Sequence, residues 1–123
     1  MKVIIAGSQA INSMEVVEAA IAASGFTITE VVCGKARGVD TCGEEWAKAH
    51  GIPVTPFEAN WYPDGPGGRL DRSAGLQRNT QMGLYAEALI AIWTGVSPGT
   101  AHMINFMRRC GKPVFVHLVL GDL

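Results

Sequence analysis

Glycine recurs along this chain in segments that also carry small polar or basic residues, and each segment follows a short apolar run. The segments read Gly7-Ser8, Gly34-Lys35-Ala36-Arg37-Gly38-Val39-Asp40 and Thr94-Gly95-Val96-Ser97-Pro98-Gly99-Thr100. Glycine lets a backbone approach an anion closely, and a helix amino terminus presents free N–H groups within a favourable dipole. Together the segments predict a phosphate-binding crevice. One segment alone is equally compatible with a tight turn that needs glycine for structural reasons.

Standard catalytic and nucleotide-binding motifs are absent from the sequence. There is no GxGxxG, no GxxxxGK[ST] and no HExxH or other cluster of metal ligands. Gly95-Val96-Ser97-Pro98-Gly99 matches the GxSxG pattern of a nucleophile elbow. We reject that interpretation because the oxyanion hole needs the N–H of the residue after the nucleophile, and Pro98 has none. Ser97 as a helix cap, followed by a proline in the first turn, explains the same residues. We therefore expect neither a metal nor a cofactor.

Short β-branched runs alternate with segments of helical period. The predicted strands are Lys2–Ala6, Ile28–Cys33, Pro53–Phe57, Ala88–Trp93 and Pro113–Val119. Four helices are predicted between them: one capped by Asn12 with Glu15, one by Thr41 with Glu44, one over Arg78–Ala86 and one beginning at Ser97-Pro98. Gly25, Gly51 and Gly111 are the expected stops after the first, second and fourth helices. In the second helix, Trp46 and Ala49 are predicted to face inward.

This alternation predicts an α/β fold, a Rossmann-like three-layer sandwich around a mostly parallel five-stranded sheet of order 3-2-1-4-5. Residues 1–123 are expected to form a single domain, in which residues 62–77 form a long loop or lid. Ligands of such sheets bind outside the carboxyl ends of the strands, where all three glycine segments and Asn60-Trp61 fall.

Composition narrows the functional classes further. The chain has 123 residues, a formal net charge of −1 and 48% apolar residues. A nucleic-acid polymer is not an expected partner because no basic run is present. Cys33, Cys42 and Cys110 fit buried thiols of a reducing compartment. No signal or membrane segment is apparent, so a cytoplasmic location is expected. The high apolar fraction predicts a homo-oligomer, most simply a dimer, formed through apolar helix faces.

A set of spaced motifs carries a family resemblance. The matching segments are Ala6-Gly7-Ser8, Cys33-Gly34-x-Ala36-Arg37-Gly38-Val39-Asp40, Trp46-Ala47, Arg78-Asn79-x-x-Met82 and Ala88 to Ile104 with its Gly95-x-Ser97-x-Gly99-Thr100-x-His102 core. They resemble the YspA-core-like branch of the SLOG superfamily over nearly the whole chain. The resemblance implies a Rossmann-like sheet and a nucleotide or nucleotide-derived ligand. Relatives include the cytokinin-activating phosphoribohydrolases and the DNA-processing DprA proteins, and SLOG domains are proposed as ligand sensors or generators in nucleotide signalling and phage–bacterium conflict.

The sequence also departs from the family pattern. The first motif usually reads Gly-Ser-Arg, whereas Gln9 stands here in the third place; Lys35 replaces the second of two glycines and can restore the lost charge. The phosphoribohydrolases carry an acidic residue in a Gly-Thr-x-x-Glu signature, and Met103 occupies that position here. The resemblance therefore favours binding, as a sensor or a sequestering protein. Two alternatives remain open: a hydrolase that cleaves an N-glycosidic or phosphoester bond, with Asp40, Glu44, Glu58 and Asp64 as its available carboxylates, and a structural interaction protein that binds no small molecule.

Candidate ligand-binding residues follow from these segments, and no residue is assigned a catalytic role. They are Gly7, Ser8, Gly34, Lys35, Arg37, Gly38, Asp40, Trp61, Arg78, Asn79, Gly95, Ser97, Gly99 and Thr100. Arg37 and Arg78 are expected to meet phosphate, and Trp61 is the better candidate for stacking on a base, whereas Trp93 fits the core. Asp40 suits a ribose hydroxyl or a helix N-cap equally well.

Overall fold

The computed structural model describes residues 1–120, which form one sheet flanked by four helices. The elements run β1 (Lys2–Gly7), α1 (Met14–Ser24), β2 (Glu30–Cys33), α2 (Val39–Ala49), β3 (Val54–Pro56), α3 (Ala74–Tyr85), β4 (Ala88–Trp93), α4 (Pro98–Arg109) and β5 (Val114–Leu118). All four strand pairs are parallel, and the strand order is β3-β2-β1-β4-β5. The predicted fold class and strand order are confirmed.

Each face of the sheet is covered by two helices, because successive residues of a strand point to opposite sides. Val3 lies beside Val31 and Ala88, and this row packs against α1 and α2. The next row, Ile4 beside Val32 and Leu89, packs against α3 and α4. The central strands are buried on both faces, which explains their nearly continuous apolar sequences.

Two of the predicted helix caps are wrong. Helix α1 is capped by Ser13 rather than Asn12, since the Ser13 side chain accepts a hydrogen bond from the Val16 N–H at 3.3 Å. Both residues are good caps, and the sequence alone does not decide between neighbours. The N-cap of α2 is Gly38, and Thr41 lies inside the helix, where its hydroxyl donates to the Ala36 carbonyl. The predicted cap of α4 is confirmed, with Ser97 as N-cap and proline in the first turn.

Helix α3 begins at Ala74, four residues before the predicted start. The predicted loop 62–77 therefore contains the first turn of α3. Asp71 organises this start, because its carboxylate accepts hydrogen bonds from the Ser73 N–H and hydroxyl. The Asp71 N–H donates to the Trp61 carbonyl at 2.7 Å, which ties the two ends of the preceding segment together.

Three other expectations concern exposure and membrane association. Ala49 and Cys110 are exposed, contrary to prediction, whereas Trp46 is partly buried against the core. Ala49 lies on the last turn of α2, and Cys110 follows the end of α4, so neither faces the sheet. Of the helices in residues 1–120, none has the length and apolar character needed to cross a bilayer.

Candidate functional site

Two adjoining clefts open at the carboxyl edge of the sheet. The smaller has a volume of about 80 Å³ and is lined by Ala6, Gly7, Gln9, Ala36, Asp40, Arg78, Asn79, Met82, Ser97, Gly99, Thr100 and Met103. The wider has a volume of about 440 Å³ and is lined by Gln9, Gly34, Lys35, Ala36, Arg37, Glu58, Ala59, Trp61 and Arg78. Gln9, Ala36 and Arg78 line both. The two clefts are therefore parts of one continuous depression, and we call them the small cleft and the wide cleft.

Arg78 lies where the two clefts meet. Its Nη1 donates to the Gly34 carbonyl at 2.6 Å, and its Nε donates to the Asn79 side chain at 3.1 Å. These bonds fix the plane of the guanidinium group between β2 and α3, and within residues 1–120 Nη2 has no hydrogen-bond acceptor. A Cβ at position 34 would be in ordinary contact with the Arg78 guanidinium carbon at 3.4 Å, but only 2.7 Å from Asp40 Oδ2, so this glycine makes room for the carboxylate. A fixed guanidinium with a free donor suits a phosphate oxygen.

Asn79 connects this arginine to the start of α4. The Asn79 side chain is buried, accepts from Arg78 and donates through Nδ2 to the Gly99 carbonyl at 3.2 Å. Both ends of the amide are therefore used within the protein. The structure gives Asn79 the role of positioning Arg78 and the α4 amino terminus.

Asp40 forms a buried wall of the small cleft. Its side chain is neither an N-cap nor exposed to solvent: it lies in the first turn of α2 and accepts from the Ala36 N–H at 3.3 Å. Burial raises the pKa of this carboxyl from its ordinary value of 3.8 to about 6, against the lowering effects of the Ala36 N–H and the Arg78 charge. The carboxylate thus already occupies N–H groups of the glycine-rich β2–α2 loop that a phosphate would otherwise use.

The amino terminus of α4 forms the opposite wall of the small cleft. Pro98 has no N–H, the Thr100 N–H is bonded to the Ser97 hydroxyl at 3.4 Å, and the Ala101 N–H is bonded to the Ser97 carbonyl at 3.0 Å. Among the first-turn residues, the Gly99 N–H is left for an external acceptor. Gly99 lines the small cleft, and nothing lies within 4 Å of the position that a Cβ at this residue would take.

Aromatic and charged side chains line the wide cleft. Trp61 is 44% exposed, and its six-membered ring lies against Gly75 in the first turn of α3. Lys35 forms an ion pair with Glu44 at 2.8 Å, whereas Arg37 is exposed and has no ion-pair partner within residues 1–120. This combination offers a stacking surface next to positive charge.

Lys35 has a backbone φ of 59°, in the left-handed region that favours glycine. This observation explains why the family pattern places a second glycine here. The lysine retains the turn at some conformational cost and adds a charge at the mouth of the wide cleft.

Three sequence-predicted residues line neither cleft. Ser8 is buried, and its hydroxyl accepts from the Thr94 N–H at 3.3 Å. Gly38 has a φ of 71° and packs so closely under the Ser8 and Gln9 carbonyls that a side chain would lie 2.4 Å from the nearer oxygen. Gly95 has a φ of 95° and lies near Leu118 on the β5 side. These residues shape the loops that carry the clefts.

Seven residues that line the clefts are not among the candidates derived from the sequence: Ala6, Gln9, Ala36, Glu58, Ala59, Met82 and Met103. Among these, Gln9 is a departure from the family pattern, Ala36 belongs to the glycine-rich segment, and Glu58 is one of the available carboxylates. Their positions directly after β1, β2 and β3 were the available signal, because the carboxyl ends of parallel strands meet at one edge. Cys33, although close by, is not a nucleophile candidate, since burial raises the pKa of its thiol to about 12.

Comparison with known proteins agrees with this architecture. The structure is similar to that of DNA processing protein A (DprA) from Streptococcus pneumoniae, with a TM-score of 0.74 and 20% sequence identity, covering 94% of this chain and 49% of that chain. The chain thus spans about half the length of that protein, and the likeness concerns the fold. No curated protein matches the sequence. The model of the YspA, cpYpsA-related SLOG family matches residues 1–62, half of the chain. This protein therefore belongs to the YspA, cpYpsA-related SLOG family.

Proposed function

We propose that this protein binds a nucleoside phosphate, with a phosphate group in the small cleft and the nucleoside in the wide cleft. The observation that carries the proposal is the junction of the two clefts at Arg78. A guanidinium at that point contacts the charged end of a ligand whose remaining part extends toward Trp61. The shared residues Gln9 and Ala36 make the path between the clefts continuous.

The sizes of the clefts suit the two parts of such a ligand. The small cleft, at about 80 Å³, is far below the roughly 300–1,000 Å³ of small-molecule pockets, so it suits one compact group such as a phosphate and not a whole nucleoside. The wide cleft, at about 440 Å³, falls within the usual range of small-molecule pockets. The exposed ring of Trp61 offers a surface on which a base can stack.

Calorimetric titration with nucleoside 5′-monophosphates, the matching nucleosides and inorganic phosphate tests this proposal. We expect the monophosphates to bind more tightly than either fragment. Arg78→Met should weaken monophosphate binding by about ten- to a hundredfold, since a charge-assisted hydrogen bond contributes about 1.5–3 kcal/mol. Arg109→Met, which removes an exposed arginine at the far end of α4, is the matched control. Equal affinity of the two variants for every monophosphate would exclude this site.

Binding without turnover is the form of the proposal that we favour. The small cleft presents Met103 where the phosphoribohydrolase signature has its acidic residue. In this form the protein senses or sequesters its ligand, in nucleotide signalling or in phage–host conflict.

Hydrolysis of the ligand is the second candidate function, and Asp40 is the observation that favours it. A buried carboxyl with a raised pKa beside a bound phosphate is a candidate general acid. Incubation of the protein with nucleoside monophosphates, followed by chromatography for free base or free phosphate, distinguishes the two functions. Product formation that Asp40→Asn abolishes would establish the hydrolase; a bound but unchanged ligand would establish the binding protein.

A further inference from the structure

We infer that the wide cleft selects a guanine base, read by the carboxylate of Glu58 beside the stacking surface of Trp61. This inference rests on the proposed nucleoside phosphate site and specifies its ligand. The starting observation is charge. Among the residues that line the wide cleft, Lys35, Arg37 and Arg78 are basic, and Glu58 is acidic.

The Glu58 side chain is exposed at the wide cleft and is not held by hydrogen bonds from the described residues of the protein. Within residues 1–120, its carboxylate has neither a hydrogen bond nor an ion pair within contact distance. Lys35 is near enough for the Glu58 charge to contribute to raising the lysine pKa, but the ammonium group is held by Glu44 at 2.8 Å, the larger influence. An exposed carboxylate that no described side chain pairs is available to hydrogen-bond donors of a ligand in the wide cleft.

The position of Glu58 assigns that part to the base. Arg78, Gln9 and Ala36 mark the end of the wide cleft that joins the small cleft, and therefore the phosphate end. Glu58 and Trp61 belong to one segment after β3 and line the same cleft. A base that stacks on Trp61 therefore lies in the same cleft that Glu58 lines.

The bases differ in what they offer a carboxylate. Guanine presents two adjacent donors, N1–H and the N2 amino group, which match the two carboxylate oxygens in the same paired manner as an arginine does. Adenine and cytosine offer one exocyclic amino group, and uracil offers a single ring N–H. Two charge-assisted hydrogen bonds stabilise a complex more than one does. We therefore expect guanine to bind about tenfold or more tightly than the other bases.

Titration with GMP, IMP, AMP and dGMP tests this inference. The expected order of affinity is GMP above both IMP and AMP, because the base of IMP keeps N1–H but lacks the N2 amino group, and adenine offers only its exocyclic amino group. Glu58→Gln should reduce the preference of GMP over AMP to within about threefold, whereas Glu18→Gln, on the exposed face of α1, should leave it unchanged. Circular dichroism confirms that both variants are folded.

The outcomes separate this inference from the proposed function. If GMP and AMP bind equally and both lose affinity in Arg78→Met, the phosphate site stands and guanine selection is refuted. If dGMP binds much more weakly than GMP while AMP equals GMP, Glu58 holds the ribose hydroxyls, which also refutes guanine selection. If none of the four binds, the proposed function itself fails.

Discussion

The buried carboxyl of Asp40 makes the stability of this protein depend on pH in a defined window. Its pKa is about 6 in the folded protein and 3.8 in the unfolded chain, so between these values the folded state binds more protons. The free energy of unfolding therefore falls as pH rises through this window. The stabilisation from Asp40 is fully present below about pH 3.8 and is lost above about pH 6. A difference of about two units corresponds to about 3 kcal/mol, at roughly 1.36 kcal/mol per unit.

Urea unfolding of the wild type and of Asp40→Asn between pH 4.5 and 7.5 measures this effect. The asparagine keeps the shape of the side chain but does not titrate, so its unfolding free energy should lose the downward slope across the window. The lowered pKa values of Glu30, Glu44 and Asp71 give an opposite slope near pH 4.5, which both proteins share and which cancels in the difference between them. The slope is the diagnostic quantity, because the asparagine amide also loses one acceptor and shifts the whole curve.

An identical pH dependence in the two proteins would show that the Asp40 carboxyl does not change its protonation on folding, and would refute the burial argument.

The protonation of Asp40 is also expected to be coupled to ligand binding. A phosphate placed beside Asp40 raises its pKa further, so we expect binding near pH 6 to take up a proton. Calorimetry in buffers of different ionisation enthalpy measures that proton, and its absence would place the phosphate elsewhere.

The remaining predictions concern packing, caps and assembly. Gly99→Ala should weaken GMP binding by about tenfold in calorimetry at no cost in urea stability, since Gly99 lines the small cleft and the added methyl group meets no protein atom within 4 Å; unchanged affinity would show that the ligand does not reach α4. Lys112→Met should lower the free energy of unfolding in urea by about 2 kcal/mol, because the Lys112 ammonium group donates to three carbonyls at the end of α3. The control is Lys48→Met, which removes an exposed ion pair and should lower it by less than about 0.5 kcal/mol. Thermal denaturation should find Lys35→Gly about 1–2 kcal/mol more stable than Lys35→Val, since position 35 has a positive φ; equal stability of the two would contradict that conformation. Sedimentation velocity at micromolar concentration should show a species heavier than 13.1 kDa, and a lone monomer would refute the expected homo-oligomer.

The fold was accessible from the sequence because its strands are short apolar runs with strong turn signals between them. The central rows, such as Ile4 beside Val32 and Leu89, are buried on both sides and allow no polar residue. Helix caps and helix starts were harder to predict from the sequence where neighbouring residues suit the same role. Asn12 and Ser13 are both good caps, and the start of α3 depends on Asp71, whose role is evident only when its side chain is seen to bond Ser73.

The sequence indicated which segments meet at the candidate site, but not the hydrogen bonds that join them. Parallel topology alone brings the glycine segments to one edge of the sheet. The contact between Arg78 and the Gly34 carbonyl joins residues 44 positions apart, and no local pattern encodes it. Ser8 and Gly38 illustrate the converse: their residue types suit an anion, but the structure uses them to pack two loops together.

Asp40 changes how the glycine-rich β2–α2 loop should be understood. A loop of this kind at a helix amino terminus is expected to hold a phosphate with its N–H groups. Here the protein's own carboxylate accepts from the Ala36 N–H, and a side chain at Gly34 would lie 2.7 Å from its Oδ2. The glycine is therefore needed for an internal anion. In the proposed site, a ligand phosphate is therefore expected to take its donors from Arg78 and the Gly99 N–H, with Asp40 beside it in the same small cleft.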